Sequence, residues 1–306
     1  MRRLWMAVVA AGGVALAAAG CGGGPSAASG GPSRAPATSA APSPPAARPM
    51  ATLPAGARIP LPHKGELRVC ESPDGLPYLG ATTPADASGN GKVSGFDVDL
   101  LTLVATRLHA APVFIRTDPR LVLDGSGLRA KTCDLVTGLT TWRGFKKTFT
   151  LTKPYDRRDF AILTKKGGPA TLAALAGKRV GVVGTGEGDV TTDYVAYLKR
   201  YNAAHGNRIV LEPQNDPNAE LMMAQAGRLD AIVTDDGRAY YDAKKTPGLT
   251  VGARFGTGYT VVFGVRKGNK ALAKQVDAAL ADAAGNGQYA KAYRTWFGRA
   301  PSWLPR

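Results

Sequence analysis

The feature that most constrains the fold is a repeat of short apolar runs separated by segments with helical spacing, carried from Leu67 to Phe297. Runs at 67–70, 112–115, 134–136, 179–183, 209–211 and 231–233 have the length and composition of strands. Between the first two, Phe96, Leu100, Leu101, Leu103, Val104 and Leu108 recur on one helix face, with Asp97 and Asp99 in the first turn where the helix dipole favours acid. Further helical patterns fall near 190–201, 217–226, 271–284 and 288–297. Strand-helix alternation requires crossovers that cover the sheet, so it implies an α/β fold with parallel sheets buried on both faces. Two β-rich segments, 160–163 and 259–265, interrupt the pattern and bracket a block of roughly 95 residues with its own alternating series. The expected architecture is a second lobe, 161–259, inserted through two hinge strands into a first lobe made of 63–160 and 260–306. A ligand is expected in the crevice between them.

The N-terminal region cannot join this body. From Gly22 to about Arg58 the chain is Gly, Ser, Ala, Pro and Thr with almost no large apolar side chain. Such a segment buries too little surface to offset its ordering entropy. Residues 21–58 therefore read as a tether, partly stiffened by Pro42, Pro44 and Pro45. Ahead of it, Arg2 and Arg3 precede an apolar stretch ending in Leu16-Ala17-Ala18-Ala19-Gly20-Cys21, the pattern of a secretory signal over 1–20. Residues 4–20 are too short and too rich in Ala and Gly for a membrane span of roughly 20 residues. The Gly20-Cys21 ending resembles a bacterial lipoprotein lipobox, with Ala18 where that motif most often has Leu. The resemblance implies removal of 1–20 and a diacylglycerol on the Cys21 thiol, two acyl chains being enough for stable anchoring. A simple cleaved signal is the alternative.

The formal charge is +16, of which Arg2 and Arg3 contribute two. No run of five like charges and no basic-aromatic interleaving appears, so the charge is a diffuse field suited to anionic lipids or wall polymers rather than to nucleic acid. With Cys21 lipidated, Cys70 and Cys133 remain as an even pair in an oxidising compartment. A bridge between them would contribute roughly 4 kcal/mol through loop closure; two buried thiols are the other reading. His63, His109 and His205 have no metal-ligand spacing, and no nucleophile elbow or catalytic-cysteine context appears. Neither catalysis nor a metal or cofactor is expected.

From about Gly65 to Gly298 the order of elements resembles the family 3 extracellular solute-binding proteins of polar amino acid ABC importers, with their periplasmic-binding-protein-like type II fold. The motifs are Gly65-Glu66-Leu67-Arg68-Val69, Leu76-Pro77-Tyr78, Gly95-Phe96-Asp97-Val98-Asp99-Leu100, Cys133-Asp134-Leu135-Val136, Lys153-Pro154-Tyr155, Leu175-Ala176-Gly177-Lys178-Arg179-Val180-Gly181-Val182 and Gly227-Arg228-Leu229-Asp230-Ala231-Ile232-Val233-Thr234-Asp235-Asp236. The resemblance implies that Arg143, in Thr140-Thr141-Trp142-Arg143, offers its guanidinium fork to a substrate carboxylate. That segment is two residues shorter before Arg143 than the family pattern and longer after it. Asp235 would take the substrate ammonium, or else act as a helix N-cap. Thr185 and Gly186 lie in a strand-to-helix turn whose backbone N–H groups would face an anion. Glu187 and Asp189 beside that turn favour a cationic ligand over a plain carboxylate. Tyr78 and Trp142 would sandwich the ligand's apolar part, Trp142 with cation–π capacity. Glu71 and Asp74 read as solvated acids on the first-lobe rim. The implied partners are a small polar solute and an ABC permease, with the receptor a monomer held by lipid at the outer face of the bacterial cell membrane. Leu67-Arg68-Val69-Cys70 and Cys133-Asp134-Leu135 also resemble accessory proteins of quinoprotein alcohol dehydrogenases, which implies a protein partner in place of a solute.

Overall fold

The computed structural model describes residues 52, 59–71, 75–82, 92–184, 186–187, 192–206 and 208–306. The signal at 1–20, Cys21 and nearly all of the 21–58 tether lie outside the described residues, as do Asp74, Thr185 and Asp189. The chain runs β1 (Glu66–Glu71), β2 (Gly80–Ala81), β3 (Val93–Ser94), α1 (Phe96–Arg107), β4 (Ala111–Arg116), α2 (Pro119–Leu123), α3 (Ser126–Arg129), β5 (Leu135–Thr140), α4 (Phe145–Thr148) and β6 (Phe149–Leu151). It crosses on β7 (Asp156–Lys165) into β8 (Arg179–Val183), α5 (Tyr194–Ala204), β9 (Val210–Gln214), α6 (Pro217–Gln225), β10 (Ala231–Asp235) and α7 (Asp236–Lys245). It returns on β11 (Leu249–Arg266) and closes with α8 (Lys270–Gly285) and α9 (Gln288–Phe297).

The strand order β4-β1-β5-β11-β7-β10-β8-β9 explains the two lobes. β1 pairs in parallel with β4 and β5, and β8 pairs in parallel with β9 and β10. Between these sets the long strands β7 and β11 run antiparallel, each belonging to both lobes. Their register slips between Val251 and Arg254 and again between Phe255 and Tyr259, within the crossing. The boundaries expected at 160/161 and 259/260 fall inside these two strands.

Strand alternation distributes the cores. Val69, Leu135, Val261, Phe263 and Val265 point into one first-lobe core with α1, α8 and α9, while Cys70, Val136 and Val262 point to the opposite face. In the second lobe Ile162, Ala231 and Val233 face one core, and Ala161, Leu163 and Ile232 the other. Both faces of both half-sheets are thus buried, as a parallel sheet requires.

Cys70 and Cys133 are joined, with sulfurs 2.01 Å and Cα atoms 5.6 Å apart. Asp134 makes this reach possible: its N–H donates to the Arg68 carbonyl (2.8 Å) and its Oδ2 accepts from the Arg68 N–H (2.9 Å), which pins the start of β5 to β1. At Gly127 of α3 a Cβ would lie 2.8 and 2.9 Å from the two sulfurs, so the bridge fits because that position has no side chain.

Sequence periodicity did not reveal α7, β6, the β2–β3 hairpin or the short helices α2, α3 and α4. The case of α7 is informative: Asp236-Gly237-Arg238-Ala239-Tyr240-Tyr241-Asp242-Ala243-Lys244-Lys245 has no apolar stripe, and its buried positions include Asp236 and Asp242. Its stability comes from the Asp235 cap and from buried ion pairs. Glu71 also differs from expectation. It is the last residue of β1 and is buried, not a solvated loop acid.

Candidate functional site

Three of the sequence motifs meet at one point. Gly95 has φ +147°, and a Cβ there would sit 1.9 Å from the Tyr78 carbonyl oxygen. Only glycine allows this approach, and it lets the first N–H groups of α1 donate to the preceding loop: Phe96 to the Pro77 carbonyl at 2.8 Å and Asp97 to the Tyr78 carbonyl at 3.0 Å. Asp97 Oδ2 in turn accepts from the Tyr155 hydroxyl at 2.8 Å. Phe96 packs edge-on against Tyr289, Tyr293 and Phe297 of α9. The outcome of this local order is a fixed Tyr78, aimed across the cleft.

Tyr78 meets the second lobe directly. Its hydroxyl donates to Asp235 Oδ1, and the same oxygen accepts from the Arg238 N–H at 2.9 Å as the N-cap of α7. Burial pushes the Tyr78 hydroxyl well above its ordinary pKa, which keeps it a donor. Gly237 allows the contact, since a Cβ there would lie 2.1 Å from the Tyr78 oxygen. On the ring face of Tyr78 lies the Arg158 guanidinium, 3.4 Å from the centroid, paired with Asp156 Oδ2 at 2.8 Å. Strand alternation puts both charges on one face of β7. Burial raises the Asp156 carboxyl, with Arg158 opposing that rise.

Beside this contact is a cavity of about 240 Å³ lined by Leu76 and Tyr78 from the first lobe, Arg158 from the hinge, and mostly by the second lobe. Tyr194, Glu220, Thr234, Asp235, Arg238 and Asp242 supply its polar wall, and Val183, Pro217 and Ile232 its apolar wall. Arg238 Nε pairs with Asp242 Oδ2 at 2.6 Å. The Tyr194 hydroxyl donates to the Val183 carbonyl at 2.8 Å. Behind the cavity Asp236 gathers Arg299 (2.8 Å) and Arg254 (3.2 Å); burial, then the neighbouring Asp235, raises it to about 6 against the pull of Arg299. Arg299 also lies over the Tyr240 ring, 4.4 Å from its centroid, and Lys244 Nζ donates to the Thr295 carbonyl at 2.7 Å. These contacts fasten α7 to α9 and so hold the lobes together on one side.

Of the residues singled out in the sequence, Tyr78 and Asp235 line the cavity. Arg143 and Trp142 do not. Trp142 is 52 % exposed and stacks edge-on against Phe145 at 5.1 Å, so it does not sandwich anything against Tyr78; Arg158 covers that ring instead. Arg143 is exposed. Thr140 is half-buried at the end of β5, and Thr141 Oγ1 lies 3.0 Å from Thr260 Oγ1, one residue along β11 from Tyr259, which pairs with Arg158. The Arg143 segment is therefore anchored next to the crossing, on the first-lobe rim. Gly186 has φ +72° and a Cβ there would crowd Val195 and Lys199; it does not line the cavity. Among the described residues no His, Cys, Asp and Glu group could hold a metal ion.

Sequence reasoning missed Arg158, Glu220, Arg238 and Tyr194. A signal existed for two of them. In Asp156-Arg157-Arg158-Asp159 the i, i+2 spacing on a strand places Asp156 and Arg158, opposite charges, on one face. Glu220 stands four residues before Ala224, on the buried side of α6.

Two α/β lobes on a crossed pair of strands, with a polar cavity between them, define a binding protein of the periplasmic type II class. Residues 80–299 match the bacterial extracellular solute-binding proteins, family 3, and the chain belongs to that family. It is 26 % identical over 228 residues to ABC transporter arginine-binding protein 1 of Escherichia coli (strain K12), covering 72 % of this chain and 88 % of the relative. It is 28 % identical over 215 residues to the L-cystine-binding protein TcyJ of the same strain, covering 68 % of this chain and 76 % of the relative. Among solved structures, the ancestral cationic amino acid solute binding protein AncCDT-1 superposes with a TM-score of 0.63 at 25 % identity, over 76 % of this chain and 96 % of that one. An ancestral arginine-binding protein bound to arginine gives 0.56 at 28 % identity, over 77 % and 99 %. No helix among the described residues is long and apolar enough to cross a membrane.

Proposed function

We propose that this chain is the lipid-anchored, extracytoplasmic receptor of an ABC importer, a monomer that closes on a small polar, amino-acid-like solute and presents it to a membrane permease. The carrying observation is the cavity of about 240 Å³ bounded by side chains of both lobes and the hinge. A receptor for a solute needs such a volume; a protein-docking accessory does not. The arginine- and cystine-binding relatives support an amino acid as the solute class. In this reading Cys21 carries the lipid and the Pro-rich tether spans the surface layer. Tyr78 and Asp235 bridge the lobes in the closed form. Arg143, exposed and without an ion-pair partner among the described residues, meets the solute carboxylate from the rim, beside Thr140 and Trp142. Closure is a shift between open and closed populations, driven by the solute's better fit to the closed one.

Calorimetric titration of the full chain with amino acids, polyamines and dicarboxylic acids tests this. At least one solute is expected to bind one-to-one at about micromolar affinity or tighter. A cooperatively melting protein that binds none of them overturns the reading.

A further inference from the structure

Three carboxylates line the cavity, and two are already committed. Asp235 accepts from the Tyr78 hydroxyl and the Arg238 N–H; Asp242 is paired with Arg238. Just outside, Asp156 is held by Arg158, and Asp236 by Arg254 and Arg299. Glu220 is the exception. It is only 3 % exposed, neither of its oxygens has a hydrogen bond or ion pair among the described residues, and Oε1 is sealed from solvent. A buried carboxyl without a partner costs more than the average buried group, so its presence calls for a reason.

The local sequence makes room for it. Asp216 caps α6 by accepting from the Asn218 N–H at 2.9 Å, and the helix turns Glu220 inward toward β8. There Gly181 stands opposite: a Cβ at that position would lie 2.9 Å from Glu220 Oε1 and 3.0 Å from its Cγ. Arg238 and Asp242 from α7 and Tyr194 from α5 interact electrostatically with the carboxyl, and Asp235 at the end of β10, Arg158 from β7 and Tyr78 from the loop after β1 share the cavity with it. The aromatic face that would otherwise attract a cation is already covered by Arg158.

We infer that Glu220 is the second-lobe anchor for a positively charged group of the solute, an ammonium or guanidinium, and that Asp235 serves to cap α7 and bridge the lobes. The inference rests on the solute-receptor reading above and specifies the solute as one that bears a cation. A proton accompanies the event. Burial raises Glu220 to about 8, with Arg238 opposing and Asp242 adding to the rise, so at neutral pH the empty site holds the neutral acid. An arriving cation favours the carboxylate, and the carboxyl proton leaves to solvent. Cation affinity therefore increases as pH rises toward about 8.

The test is calorimetric titration of L-arginine, L-lysine, agmatine and putrescine, with glutarate and succinate as cation-free controls, into the full chain and into Glu220→Gln, at about pH 6 and about pH 8. The expected result is that at least one cation binds the wild type, more tightly at the higher pH, and that Glu220→Gln weakens it about tenfold or more and removes the pH dependence. Agmatine and putrescine separate a bare cation from an amino acid, since neither carries a carboxylate. Equal affinity in both proteins, or binding of the controls alone, overturns the inference and leaves the receptor reading standing. Binding of no cation overturns the inference, and binding of nothing in the wider panel of amino acids, polyamines and dicarboxylic acids overturns both. If Glu220→Gln does not fold, the pH dependence of the wild type decides, a flat profile overturning the inference.

Discussion

Two arginines beside the same crossing live in opposite surroundings. Arg158 is mostly buried in the hinge, its side chain 11 % exposed, stacked on Tyr78 and paired with Asp156, itself 3 % exposed. Arg143 is exposed on the first-lobe rim and, among the described residues, is tied only through the backbone of its turn. The difference separates structure from function. A guanidinium buried against a carboxylate is consumed in holding the hinge, and removing it strands a charge. An exposed, unpaired one costs the fold nothing and is free to meet a solute. The same contrast recurs among the acids, where Asp156, Asp235, Asp236 and Asp242 are committed and Glu220 is not.

Arg158→Ala should show the largest effect. It leaves the Asp156 carboxylate buried without a counter-charge, held only by the Arg157 N–H, and a loss of about 3–5 kcal/mol is expected in urea denaturation. A loss below about 1 kcal/mol would erase the contrast. Glu220→Gln should act in the other direction, and only above acid pH. The folded pKa of about 8 lies above the ordinary glutamate value, so the fold keeps a proton that the unfolded chain releases. Wild-type stability then falls as pH rises from about 4.5 to about 8, on the order of a few kcal/mol at most. Melting curves of the two proteins should coincide near pH 4 and separate toward pH 8 with the variant higher; parallel curves would mean Glu220 is ionised throughout. Tyr78→Phe removes the hydroxyl between the lobes while the Asp235 cap on α7 remains, a change of about 1 kcal/mol in the same denaturation assay. Arg143→Ala should move stability least, within about 0.5 kcal/mol, yet weaken binding of any carboxylate-bearing solute about tenfold. Unchanged affinity would place the carboxylate elsewhere.

The fold was legible because its signals are local and repeated. Alternation gave the strands, the i, i+4 spacing gave α1, α8 and α9, and the two β-rich segments marked β7 and β11. The polar helix α7 was not legible, since its buried face carries Asp242, paired with Arg238 inside the helix, and Asp236, whose partners Arg254 and Arg299 lie far away in sequence. The candidate site divides the same way. Tyr78 and Asp235 sit in motifs with fixed places on loop and strand ends, so sequence pointed at them. For Glu220 and Arg158 spacing gives only a face, the buried side of α6 for one and the face shared with Asp156 for the other; what they meet there, Gly181 and Asp242 or the Tyr78 ring, is not encoded along the chain. Whether a charge is spent is a property of three-dimensional packing.

The central claim is that the solute lies between the lobes against α6 and α7. Amide hydrogen exchange of the full chain, free and saturated with whichever of L-arginine, L-lysine or agmatine binds tightest, tests it most directly. Slowed exchange is expected at 75–80, 217–225 and 231–242, which carry Tyr78, Glu220 and Asp235. Protection confined to other segments, such as the Cys70–Cys133 bridge and the loop before β5, would contradict it.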